Sequence, residues 1–265
     1  KRDFSRDIYG IHRNIHMHQR NLRRAIGVLV DSELGREQLV DACGKIYKDK
    51  VFIQPFRAPN YLYNDTEERP PSLNSTKFIF YPATLTDHKN HTSILLAMEQ
   101  LKQEGIIVNM VFTGEYSGFY EILKRLATKL GLIDQVKFIG YVSGAQMKWL
   151  YKNARAMIMP CYAGPTNIPP LEAMLMGCPI IISNKWSMPK QIGDAALYVN
   201  PEFHLSIASA IKKVWLEDDI CKKLSQRGKK RAELFTRKKF NETFINNFNS
   251  IVSRYESEYK ELHCF

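Results

Sequence analysis

Lys77-Phe78-Ile79-Phe80-Tyr81-Pro82-Ala83, running into Thr84-Leu85-Thr86-Asp87-His88-Lys89-Asn90, decides the fold. The first seven residues have the length and aromatic, β-branched character of a buried strand, and the next seven are a polar loop. Asn90–Gln103 then places Ile94, Leu95, Met98 and Leu101 on one helical face. The same unit recurs outward from here. Ile107–Thr113 is a strand ending at Gly114, and Gly118–Leu130 a helix stopped by Gly131. Val136–Ile139, Ala156–Met159, Pro179–Ile182 and Ala196–Val199 read as strands, with helices at Ala145–Lys152 and Pro170–Met176 among them. Helical stretches near Leu205–Leu216, Ile220–Leu234 and Arg237–Tyr259 close the chain. Such alternation predicts an α/β fold, a doubly wound parallel sheet covered on both faces by right-handed crossovers. Ligands of these sheets bind beyond the carboxyl ends of the strands, in the loops after Ala83, Thr113, Ile139 and Met159.

Upstream the rhythm changes. A basic helix, a strand at Ile26–Val30, a helix from Ser32 and a strand at Lys50–Gln54 make about two βα units, too few for a separate doubly wound domain. Residues 55–76, with Pro59, Pro70 and Pro71 among polar residues, read as a linker. The expected organisation is therefore 1–54 as part of one domain, 77–235 as a second domain entire, and 236–265 as a helix crossing back to the first. A start at Lys1 rather than Met suggests a fragment.

The 265 residues are 45% hydrophobic, enough for a sizeable core and against disorder. No apolar run reaches bilayer-spanning length, and no secretory leader opens the sequence. Five scattered cysteines, Cys43, Cys161, Cys178, Cys221 and Cys264, form neither a disulfide framework nor a zinc site and suit a reducing cytoplasm. The net charge of +11 is concentrated: residues 1–24 carry +5 and residues 212–239 carry +7. Basic surfaces of this kind suit acidic lipid headgroups, nucleic acid or phosphorylated substrates, although solvated helix faces account for most of them. His12, His16 and His18 are unevenly spaced and lack acidic partners, so no metal is expected.

Three loops carry candidate chemistry. Lys89 stands at the positive end of the helix opened by Asn90, a conflict that a bound phosphate removes. The alternative is a solvated lysine with Asp87 as counterion. Thr113-Gly114-Glu115-Tyr116-Ser117-Gly118 would let a ligand approach backbone, but it is neither Gly-x-Gly-x-x-Gly nor a P-loop. In Gly164-Pro165-Thr166-Asn167-Ile168-Pro169-Pro170-Leu171-Glu172-Ala173, Pro170 is expected at the first helical position and Pro169 at the cap. The amides of Leu171 and Glu172 would then lack local acceptors and await a ligand oxygen. Glu172, third in the helix, either complements the dipole or receives a pair of hydroxyls such as those of a ribose. Trp149 and Trp215 read as core residues, and Trp186 as a cleft or loop residue. No serine or zinc hydrolase motif is present.

Residues from about Phe78 to Phe235 resemble the donor-binding domain of family-4 retaining glycosyltransferases of GT-B architecture, which pair two Rossmann-like domains. The resemblance rests on blocks in the right order. Tyr81-Pro82-Ala83 is followed by His88-Lys89-Asn90-His91, Phe112-Thr113-Gly114, Val136-Lys137-Phe138-Ile139-Gly140-Tyr141-Val142 and Leu150-Tyr151-Lys152-Asn153-Ala154. The Gly164–Ala173 stretch leads to Gly177-Cys178-Pro179-Ile180, and Gly193-Asp194-Ala195-Ala196-Leu197-Tyr198 with Pro201 completes it. Ala25–Glu33 looks like the end of the acceptor-side domain. The resemblance implies a nucleotide-sugar donor as substrate and no cofactor or metal. Lys89 and Glu172 are the implied catalytic residues, with Lys89 on the diphosphate and Glu172 on the ribose hydroxyls. Thr84, Gly114, Tyr141, Val142, Thr166, Asn167, Ile168 and Pro169 would complete the donor site, Tyr141-Val142 bordering the base.

Two positions depart from the family pattern. Gly164 stands where the first glutamate of the Glu-x7-Glu signature belongs, and Thr84 where an arginine is usual. The expected activity is transfer of a sugar with retention to an acceptor hydroxyl, carbohydrate or lipid-linked, in polysaccharide or glycolipid synthesis. The expected location is the cytoplasm, with an anionic membrane as a peripheral partner. The alternative is a non-catalytic nucleotide-sugar-binding module. A nucleic-acid binder ranks last, because no recognition helix or aromatic-basic platform supports it.

Overall fold

The computed structural model describes residues 8–263 except 65, 74–76 and 165–166, with side chains from 15 to 257. The chain divides into two compact units, residues 1–57 with 235–265, and residues 58–234.

In the first unit, α1 (Ile8–Arg24) precedes β1 (Val28–Val30), α2 (Glu33–Cys43) and β2 (Val51–Ile53). β1 and β2 pair in parallel, Val28 opposite Val51 and Val30 opposite Ile53. Ser32 caps α2 by accepting from the Gly35 amide at 3.1 Å, satisfying one orphan donor of the first turn. Leu22, Val40, Cys43 and Val51 make a small core.

The second unit is a six-stranded, wholly parallel sheet. Its strands are β3 (Ile79–Pro82), β4 (Met110–Thr113), β5 (Val136–Gly140), β6 (Ala156–Met159), β7 (Ile180–Ser183) and β8 (Ala196–Val199). They lie in the order β5-β4-β3-β6-β7-β8. The doubly wound α/β architecture expected from sequence is the one observed. Between the strands run α3 (His91–Gln103), α4 (Phe119–Lys129), α5 (Gly144–Asn153), α6 (Pro169–Met176) and the short α7 (Met188–Ile192). α8 (His204–Leu216) and α9 (Asp218–Ala232) follow β8, and α10 (Arg237–His263) belongs to the first unit.

Burial explains the apolar strands. Ile79, Phe80 and Tyr81 in β3, and Ile180, Ile181 and Ile182 in β7, are all fully buried, as a sheet covered on both faces requires. Each such side chain contributes about 1.5–3 kcal/mol on leaving water. Trp215 packs in this core under the Lys77 ammonium at 4.6 Å, while Trp149 stacks on Phe78 at 6.1 Å and stays partly open. Cys43, Cys161, Cys178 and Cys221 are buried free thiols, and Cys264 lies outside the described residues.

Strand order sets the location of the site. The chain winds one way from β3 to β5, returns to the middle of the sheet, and winds the other way from β6 to β8. The direction reverses between β3 and β6, so the loops beyond these two strands splay apart and leave a crevice.

The proline-containing stretch read as a linker packs on this second unit from Ala58 onward. Ala58, Leu62 and Leu73 are buried, and a 3-10 turn over Asn60–Tyr63 lies against α5. Its prolines end secondary structure without freeing the chain, because Leu62 between them and Leu73 just after them reach the core.

Candidate functional site

Lys89 is placed by a short 3-10 turn, Asp87–Lys89, directly after β3. The buried Tyr81 hydroxyl donates to the Lys89 carbonyl at 3.0 Å, and the Tyr162 amide of the β6–α6 loop donates to the His88 carbonyl at 2.9 Å. The turn is thus held from both sides of the crevice. Among the described residues the half-buried Lys89 ammonium makes no ion pair or hydrogen bond, with Asp87 or any other group. Its charge reaches inward. Burial, with Lys89 adding to it, holds His91 down to about pKa 3, and the ring is neutral at physiological pH. Burial raises Cys161, two residues beyond β6, to about 11 even though Lys89 pulls it down.

Asn90 occupies the cap position of α3 in the left-handed conformation, φ 62°, but its side chain does not cap the helix. Its Nδ2 instead donates to the carbonyls of Pro160 at 2.9 Å and Pro201 at 2.8 Å, tying together the loops after β3, β6 and β8. The α3 amino terminus is left without a side-chain cap, next to the unpaired lysine.

Gly114 has a structural role that the sequence did not disclose. At φ +132° it lies against the protein's own backbone, where an added Cβ would fall 2.6 Å from the Ala83 oxygen and 2.9 Å from the Thr84 nitrogen. Its amide donates to the Gly140 carbonyl at 2.8 Å, so the glycine laces the ends of β3, β4 and β5 together. Thr84 is exposed beside this crossing. Tyr141 is 88% exposed, whereas Val142, two residues before α5, is buried.

The helix carrying Glu172 starts one residue earlier than expected. Ile168, in helical geometry, is the cap, Pro169 and Pro170 are the first two helical residues, and Glu172 is the fourth. The Ile168 carbonyl accepts from the Leu171 amide at 2.8 Å and the Glu172 amide at 3.2 Å. These amides are therefore not free for a ligand. Two prolines tolerate helical geometry because neither first-turn N–H is needed, and that shift supplies the acceptor. Glu172 is buried, with 7% of the residue exposed. Its Oε1 accepts from the Tyr61 hydroxyl at 2.8 Å and its Oε2 from the Tyr151 hydroxyl at 2.5 Å. Burial pushes its pKa up, and the two tyrosine bonds work against that rise.

The loop before α6 is shaped by Gln191 of α7. The Gln191 side chain accepts from the Asn167 amide at 3.2 Å and donates to the Asn167 carbonyl at 2.9 Å. Trp186, half exposed, donates its indole N–H to the Tyr162 carbonyl at 2.8 Å and so braces the loop. Ile168 is exposed and Pro169 partly so, while Thr166 lies outside the described residues. Gly164 has φ +122°, a conformation a glutamate would adopt only under strain.

Lys89, Gly114, the described loop residues Gly164, Asn167 and Ile168, and the start of α6 thus lie around one crevice, at the reversal between β3 and β6. Sequence reasoning missed Tyr61, Tyr151, Asn90 as a three-loop tie, and Gln191. Tyr151 lay within a quoted block without a role. Tyr61 lay in a stretch whose only local signal was proline. The described residues hold no cluster of metal-binding side chains.

This strand order is that of the doubly wound α/β class, the fold of GT-B glycosyltransferases. Residues 64–231 match the family of glycosyl transferases, group 1, and the chain belongs to that family. O-antigen chain mannosyltransferase B from Escherichia coli is 28% identical over 161 residues, 60% of this chain and 42% of that protein. The chain therefore spans less than half the length of that relative. Among solved structures, a sucrose-phosphate synthase from Thermosynechococcus elongatus superposes with a TM-score of 0.73 at 18% identity, covering 96% of this chain and 62% of that one. Anabaena HepE, solved with UDP and glucose, gives 0.75 at 18% identity, covering 89% of this chain and 68% of the other.

Proposed function

We propose that this chain supplies the donor-binding half of a retaining hexosyltransferase that takes its sugar from a nucleoside diphosphate. The observation that carries the reading is the unpaired, half-buried Lys89 ammonium beside the uncapped amino terminus of α3, at the sheet reversal. Both features favour a diphosphate, and the helix end adds a fixed positive potential. During transfer the bond from the anomeric carbon to the diphosphate oxygen breaks, a bond from that carbon to the acceptor oxygen forms, and the acceptor's hydroxyl proton passes to the departing diphosphate. Lys89 stabilises the charge gathering on the leaving group, a preorganised electrostatic role that requires no metal. Glu172 receives the ribose hydroxyls, Thr166–Pro169 border the sugar, and Tyr141-Val142 border the base. The similarity to an O-antigen mannosyltransferase supports an acceptor in polysaccharide or glycolipid assembly.

Calorimetric titration with UDP and GDP tests the site. Lys89→Met weakens the better-bound nucleotide about 10- to 100-fold, the worth of a charge-assisted hydrogen bond. Unchanged affinity overturns the assignment. Turnover of labelled nucleotide sugars, with the anomeric configuration of the product read by NMR, tests transfer and retention. The positive φ of Gly164, which a glutamate would adopt only under strain, and the doubly occupied Glu172 favour the second reading, a binding module without turnover, and absence of product with intact nucleotide binding would establish it.

A cytoplasmic protein meeting an anionic membrane is part of the proposal. His16, Gln19, Arg20, Arg23 and Arg24 line a shallow recess on α1, and no helix among the described residues is long and apolar enough to cross a bilayer. Salt-sensitive co-sedimentation with vesicles containing phosphatidylglycerol checks this contact.

A further inference from the structure

The donor-site reading asks Glu172 to receive two ribose hydroxyls, yet both of its oxygens already accept hydroxyl protons from the protein. With only 7% of the residue exposed, a diol has almost no carboxylate surface to reach while both tyrosines stay in place. One of them must yield, and the two are not equivalent. Tyr151 is fully buried on α5, its ring edge-on to Phe80 at a centroid distance of 4.9 Å. Tyr61 is only partly buried and stands on a four-residue 3-10 turn at the margin of the unit. Its ring lies over Gly144, where an added Cβ would meet the tyrosine Cβ and Cγ at 3.0 Å. The absent side chain at 144 thus leaves the slot that lets the hydroxyl reach Glu172.

We infer that the Tyr61 hydroxyl stands in for a ribose hydroxyl on Glu172 and exchanges with it when the nucleotide binds, making Tyr61 a determinant of specificity for ribonucleotides. This inference rests on the donor-site reading. A desolvated carboxylate that loses one hydrogen bond without a replacement is costly. Departure of Tyr61 is therefore coupled to arrival of another hydroxyl in the same place. A ligand lacking that hydroxyl cannot compensate the carboxylate and leaves Tyr61 where it is. Tyr151 remains bound throughout and fixes the carboxylate plane.

Calorimetry on the intact chain separates this inference from the reading beneath it, using UDP and GDP and their 2′,3′-dideoxy counterparts. Tyr61→Phe keeps the ring on Gly144 and removes only the competing hydroxyl. It tightens the preferred ribonucleotide about three- to tenfold, the scale of one net hydrogen bond, and leaves the dideoxynucleotide unchanged. Weaker ribonucleotide binding would make Tyr61 a partner of the ligand and overturn the exchange. An equal gain for both nucleotides would indicate general loosening of the site and overturn it too. Glu172→Gln tests the underlying reading. If it leaves ribonucleotide affinity intact, or if neither nucleotide binds the unaltered chain, the donor site fails and the exchange with it. If it weakens the ribonucleotide while Tyr61→Phe changes nothing, only the exchange fails.

Discussion

Replacing Asn90 probes the mechanical centre of the crevice. Its Nδ2 satisfies the carbonyls of Pro160 and Pro201 at 2.9 and 2.8 Å, and the residue is 1% exposed. Alanine removes both bonds and leaves two acceptors short of a partner, each costing about 1–3 kcal/mol when water cannot enter. It also keeps the left-handed backbone, φ 62°, without the local polar interactions that make this region tolerable for asparagine. Asn90→Ala should therefore lower stability by about 3–5 kcal/mol. Asn90→Gly loses the same bonds but relieves the backbone, and should recover about 1 kcal/mol of that loss. Asn90→Asp sets a carboxylate against two carbonyl oxygens and should be the most damaging above the carboxylate pKa. Urea unfolding followed by tryptophan fluorescence is the suitable assay, since Trp149, Trp186 and Trp215, the only three, all belong to the 58–234 unit. An alanine variant within about 0.5 kcal/mol of the parent, the scale of an ordinary surface change, would refute the claim that this side chain joins the three loops. A glycine variant less stable than the alanine one would refute the part of the reasoning that rests on the left-handed backbone.

Other outcomes follow from neighbouring groups. His91 keeps a pKa near 3 when folded, against about 6.5 in an unfolded chain. Only the unfolded state gains the proton between these values, so its stability contribution is complete above about pH 6.5 and declines as pH falls toward 3, by about 1.4 kcal/mol per unit. His91→Phe, which keeps a ring between Tyr81 and Phe112, should flatten that dependence in urea unfolding from pH 7 to 4. Gly114→Ala drives a Cβ into the Ala83 carbonyl and should cost about 2 kcal/mol or more, with a matching loss of nucleotide affinity by calorimetry. Gln191→Leu removes both bonds to the Asn167 backbone, and hydrogen exchange should show faster exchange at the Asn167 amide with only about 1–2 kcal/mol lost in unfolding.

Periodicity alone carried much of the fold. β3 and β7 are runs of consecutive buried residues because both sheet faces are covered, and such runs are visible in any reading of hydropathy. The strand core of Lys77–Ala83 narrowed to Ile79–Pro82, and Ile107–Thr113 to Met110–Thr113, because pairing rather than composition ends a strand. The five-residue α7 was not anticipated, since its residues show too little periodicity to register. Lys89 and Gly114 were legible as loop residues at strand ends. Their actual neighbours were not.

What the chain's order of residues determined by itself is the alternation of strand and helix, and with it the loops at which a ligand can bind. These are short-range properties, set by side-chain spacing and turn chemistry. Only the tertiary structure decided that Tyr61 reaches Glu172 across 111 positions, that Asn90 spans to Pro201, and that the amides of Leu171 and Glu172 are already in use. Hydrogen bonds between distant segments depend on how strands are ordered and how helices settle on them, and no local pattern of sequence records that choice.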